Sequence, residues 1–141
     1  MRKSVKVISV AIILIAAGLV YVWPYVQMEF ASSANYTEQD KREYNFYTPE
    51  ILRDMPRISK RYDFDFANIT GPAKHVYAVK FYGVTEVGEI EKYLISRKYV
   101  KQDSCNIKAT CWTASDPLKT IYVGTLTGEN TVIVQVVYNF S

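Results

Sequence analysis

The chain has 141 residues, 49% of them apolar or aromatic, with 17 lysines and arginines against 14 acids, two cysteines and one histidine. Three of the cations, Arg2, Lys3 and Lys6, precede a long apolar run, so the rest of the chain is close to neutral and carries no electrostatic footprint for nucleic acid. One histidine and two cysteines do not make a metal set, and no glycine-rich phosphate loop or nucleophile-base spacing occurs, so the expectation is a protein without catalytic, metal or cofactor residues.

Residues 1–6 form a basic end. From Val7 to Val26 the sequence is almost unbroken in apolar character, with only Ser9 and Gly18 as small or weakly polar interruptions before Pro24. At about 1.5 Å per residue the run spans about 30 Å, the hydrocarbon thickness of a bilayer. Tyr21, Trp23 and Tyr25 gather at its far end, where amphipathic rings favour the headgroup layer, and Pro24 sits where the helix is expected to finish. The cations all lie on one flank, and the next is Lys41, so the positive-inside bias predicts a cytoplasmic N-terminus and an exported remainder. A cleaved secretory signal shares this layout, and Ser32-Ser33-Ala34 offers a cleavage site. The run exceeds the length of a signal's apolar segment, which favours an uncleaved signal-anchor over residues 7–26 in contact with the lipid bilayer.

Residues 27–47 turn polar and read as a tether, whose aromatic residues Tyr36, Tyr44, Phe46 and Tyr47 are expected to settle on the chain's own core. The remainder, 48–141, is long enough for one small domain. Thr48-Pro49-Glu50 gives a helix start, with Thr48 as N-cap and Pro49 in the first helical position, carried past Pro56 towards Arg61. Tyr62 to Phe66 alternates strictly and predicts a short strand with Asp63 and Asp65 on one side, followed by a loop at Asn68 to Pro72. His75 to Tyr82 is a strand rich in β-branched and aromatic residues, and its lone histidine has no motif tying it to a nucleophile or an acid.

Thr85 to Lys98 predicts the domain's best helix, capped by Thr85, with Val87, Ile90 and Leu94 as its core stripe. Beyond it, Tyr99 to Asp103 and Thr110 to Ala114 are expected to pair around a Cys105 to Cys111 disulfide that pins the hairpin end. Five intervening residues fit a structural bridge and not a redox pair. Lys119 to Leu126, a turn at Thr127 to Asn130, and Thr131 to Phe140 as the longest strand complete the chain. Both faces of that last strand are largely apolar, which predicts a central position or a covered second face. The order predicts an α+β domain: a mainly antiparallel sheet of four to five strands with two helices gathered on one side.

An apolar span with one basic flank, a polar tether and a disulfide-bearing α+β domain together resemble, in layout, the small immunity proteins that Gram-negative bacteria anchor in the inner membrane. The resemblance implies a single-pass protein with its C-terminal domain in the periplasm, binding and neutralising a cognate exported toxin. The other reading of the same layout is an accessory or assembly subunit of a cell-envelope complex for secretion or division. In both, the partner is a protein.

Overall fold

The structure is a computed structural model that describes residues 2–70, 73–105, 109–126 and 128–140. The chain divides into two compact units, the first ending at Ala31 and the second running from Ser32 to Ser141. The first is a single helix, α1 (Arg2–Glu29), with Pro24 inside it. Its apolar stretch, Arg2–Met28, has a mean hydropathy of 2.5 over its most apolar window and none of that window is buried, so α1 is long and apolar enough to cross a membrane. The helix continues past Pro24 instead of ending there. Proline costs one backbone bond and kinks the axis, a loss that helices of this type tolerate.

The second unit is built on one antiparallel sheet of seven strands: β1 (Ser33–Tyr36), β2 (Arg61–Thr70), β3 (Ala73–Tyr82), β4 (Val100–Lys101), β5 (Thr110–Thr113), β6 (Lys119–Leu126) and β7 (Thr131–Asn139). Their order across the sheet is β1-β2-β3-β7-β6-β5-β4. Four to five strands was therefore an undercount. The strand not expected is the four-residue edge β1, too short to leave a periodicity to read, while the other edge, β4, is the expected Tyr99 to Asp103 strand shortened to two residues. β7 occupies the centre of the sheet, as its two apolar faces require, although β2 and β3, with ten residues each, are longer.

Register sets the core. Phe64, Val79, Val134 and Val123 form one row across the strands, and Phe66, Tyr77, Val136, Ile121 and Trp112 form the next. Apart from Tyr77, these side chains are buried. The same face receives three helices, α2 (Lys41–Tyr47), α3 (Glu50–Arg53) and α4 (Gly88–Ser96). Tyr47 of α2 stacks on Tyr36 and Phe66, and Tyr44 meets Phe64 edge-on. Ile51 and Leu52 of α3 and Ile90 and Leu94 of α4 are buried, and the Tyr93 hydroxyl donates to the Ile51 carbonyl at 2.8 Å, joining the two helices.

Several local expectations are corrected. Residues 33–47, read as part of a tether, contribute β1 and α2 to the fold, because aromatic packing supplies what their polar composition does not. Thr48 does not cap a helix: it is buried, and its Oγ1 shares a hydrogen bond of 2.8 Å with the Tyr36 hydroxyl. Pro49 is the N-cap of α3, which lasts four residues and does not restart at Pro56. Thr85 does not cap α4 either, since that helix begins at Gly88 with Val87 as N-cap. Asn68 to Thr70 continue β2, paired out to Thr70 opposite Ala73, while Gly71 and Pro72 of the expected loop lie outside the described residues.

Candidate binding face

Alternation along each strand sends every second side chain to the sheet's other face, which no helix among the described residues of this unit covers: α2, α3 and α4 all make their contacts on the first. Row by row this face carries Asp63, Lys80, Ile133 and Gly124; Asp65, Ala78, Gln135, Tyr122 and Cys111; and Ala67, Val76, Val137 and Thr120. Most of these residues are half-buried, shielded only by their neighbours in the sheet. The strands β3, β7 and β6 supply its apolar part, and β2 together with Lys80 of β3 supplies its charge.

The charged part is largely paired within itself. The Tyr82 hydroxyl donates to Asp63 Oδ2 at 2.8 Å, and burial together with that carboxylate pushes the phenol up to about 12. Asp65 accepts from the Asn35 amide at 2.8 Å and lies 3.4 Å from Lys80 Nζ, close enough for an ion pair, although its Oδ2 makes no hydrogen bond. Asp63 Oδ1 is buried without a hydrogen-bond partner. The two carboxylates therefore share a side of β2, as the alternation predicts.

Within the apolar part is a groove of about 160 Å3, lined by Ala109, Tyr122, Gly124, Leu126, Ile133 and Gln135 among others. Gly124, which lines the groove, lies opposite Ile133 and brings no side chain to this face. One wall is held covalently. Cys111 projects from β5 beside Tyr122, and its disulfide to Cys105, with 5.6 Å between α-carbons, closes the loop that leads to Ala109. The Gln102 amide N–H donates to the Cys111 carbonyl at 2.8 Å and its side chain donates to Thr113 Oγ1 at 2.6 Å, fastening the other end of that loop. Cys105 and Cys111 thus form the expected disulfide.

Other residues singled out by sequence are not brought together. His75 is half-buried among the rings of Phe66, Tyr77 and Phe140, on the sheet face opposite Asp63. Among the described residues no group of three or more His, Cys, Asp or Glu side chains could hold a metal ion. A larger depression, about 510 Å3, lies at the loop before α4, where Thr85, Glu86, Glu89 and Lys92 are solvated and point to no ligand. Two cations of the basic run Arg53 to Arg61 are absorbed structurally, for Arg53 donates to the carbonyls of Asn45 and Thr48, and Arg57 to those of Leu52 and Met55, while Lys60 and Arg61 are exposed. Sequence reading missed the uncovered face and its groove; an isolated glycine in the middle of β6 was the available signal. No protein-family model, no curated protein and no solved structure matches this chain.

Proposed function

We propose that the protein is a single-pass, inner-membrane-anchored binding domain of the bacterial periplasm that acts as an immunity protein, occluding a cognate exported toxin with the uncovered face of its sheet. The observation that carries this reading is a sheet packed by helices on one side only, with a half-buried apolar groove and fixed polar side chains on the other. Such a mixed surface suits a protein partner: an apolar centre gives affinity and flanking polar groups give register. The disulfide suits an oxidising compartment, and α1 with Arg2, Lys3 and Lys6 on its leading end suits an N-terminus left in the cytoplasm. Anchoring holds the inhibitor where a toxin acts and raises its effective concentration there.

The test is protection. The protein is co-expressed with a candidate exported toxin, sought among the products of neighbouring genes, and survival is compared with that of the Ile133→Asp variant and of a version whose α1 is replaced by an unrelated span. The account expects protection to survive the anchor exchange and to fail with Ile133→Asp, whose fold is checked by an unchanged unfolding midpoint. Loss of protection on anchor exchange alone would favour the envelope-assembly role, in which α1 makes specific contacts. Protection unaffected by Ile133→Asp would move the binding surface elsewhere.

A further inference from the structure

One end of the sheet differs from the other. β1 begins there, with Ser33 opposite Ala67 and the Asn68 amide donating to the Ser32 carbonyl at 2.8 Å. The same end holds the close of β2, the start of β3, the close of β7 and the start of β6: Ile69 pairs with Lys74, Lys74 with Asn139, and the Asn139 amide donates to the Leu118 carbonyl. Val100 of β4 opposes Thr113, in the row that starts at Ser33. Seven large apolar side chains of this unit are exposed among the described residues, and three of them lie at this end, Ile69 at 42%, Leu118 at 48% and Phe140 at 53%, with Val100 at 63% further in on the far edge strand. Lys74 and Lys119 lie in the rows of this end, the Lys119 ammonium over the rings of Tyr99 and Tyr138, and Asp116 is engaged by the Leu118 amide. The opposite end carries Glu86, Asp103 and Glu129 against Lys60 and Arg61.

We infer that this apolar, lysine-bearing end of the sheet is a lipid-contact rim that docks on the anionic headgroup surface of the membrane that α1 enters. It rests on the anchor reading of α1. Four residue steps separate Glu29 from Ser33, at most about 14 Å of extended chain, so the end where β1 starts is the one the covalent chain can bring to the bilayer surface. Exposed aromatic and aliphatic side chains beside lysines are the composition that partitions into an interface, apolar groups reaching the acyl boundary and ammonium groups meeting lipid phosphates. Docking here leaves the groove and the rest of the uncovered sheet face open to a protein partner, because that face runs away from the rim.

The test uses the full-length protein in nanodiscs of mixed phosphatidylcholine and phosphatidylglycerol with a gadolinium-chelating lipid, read by paramagnetic relaxation of backbone amides. The expected result is strong enhancement at Lys74, Lys119 and Phe140 and weak enhancement at Arg61, Leu126 and Glu129. Lys74→Gln is expected to lower the ratio of docked to undocked protein about fivefold, and a change to phosphatidylcholine alone, which removes the attraction of every lysine at the rim, by more. Phe140→Ser is expected to lower it independently of lipid charge. Equal enhancement at both ends, or a gradient unchanged by both substitutions, overturns the rim and leaves the anchor standing. Failure of the protein to co-purify with the discs overturns both.

Discussion

Arg57 offers the sharpest perturbation of the fold. Its Nη1 donates to the Leu52 carbonyl at 2.7 Å and the Met55 carbonyl at 3.2 Å, and its Nη2 to the Tyr44 hydroxyl at 2.9 Å and the Arg53 carbonyl at 3.2 Å. The guanidinium also sits 5.2 Å from the Tyr62 ring and 5.5 Å from the Phe64 ring, and its Nε is 3.9 Å from Glu38, which accepts a hydrogen bond from the Tyr62 hydroxyl. One side chain thereby ties α2, α3 and β2 together. Each short charge-assisted bond contributes about 1.5 to 3 kcal/mol, and the cation–π contact about 0.5 to 1. The bonds share one partly solvated group and are not additive, so Arg57→Ala is expected to cost about 3 kcal/mol, or about 12 °C in Tm for a unit of this size. Arg57→Lys keeps the charge without the fork and is expected to recover less than half of that. The assay is thermal unfolding of the full-length protein in detergent, followed by near-ultraviolet circular dichroism of the tyrosine cluster, which α1 does not dominate as it would the far-ultraviolet signal. A Tm within about 3 °C of the parent for Arg57→Ala, or full stability for Arg57→Lys, would refute the reasoning.

Further predictions test other parts of the fold. Val134→Ala, at a fully buried position on β7, is expected to cost about 2 kcal/mol, whereas Val137→Ala on the half-exposed face costs below about 1, measured as shifts in denaturant midpoint. Replacing Cys105 and Cys111 together by serine removes a short covalent ring and is expected to lower stability by about 2 kcal/mol, matched by adding reductant to the parent protein. Burial pushes the Tyr36 hydroxyl up to about 12, outweighing its bond to Thr48. Because the folded value lies above the unfolded one of 10.0, this stability is complete below about pH 10 and is lost as pH rises through the folded value. Denaturant titrations from about pH 8 to about pH 11 should therefore show a falling midpoint, with a shallower fall in Tyr36→Phe.

What could be read in the sequence was what local chemistry decides. A run of apolar residues long enough for a bilayer, the β-branched alternation of β6 and β7 and the Ile90–Leu94 stripe of α4 each announce themselves within one window of chain. β1 and α2 do not, because their order comes from tertiary contacts: Tyr36 to Thr48 and Phe64, Tyr47 to Phe66. The end of β2 misled for the opposite reason. Asn68, Thr70, Gly71 and Pro72 have turn chemistry, yet ladder pairing to β3 carries the strand through the first two. The binding face was the least legible feature, since strand alternation says that two faces exist and only the placement of the helices says which one is left open.

The central claim is that α1 stays attached and holds a disulfide-bonded domain outside the cytoplasm. It is tested most directly by expressing the protein in a Gram-negative host, adding protease to intact spheroplasts and weighing the products. The account predicts an uncleaved, membrane-bound chain carrying the Cys105–Cys111 bridge, whose compact unit is reached by protease without lysis. A chain shortened near Ala34, or one protected until the spheroplasts are broken and carrying free thiols, would contradict it.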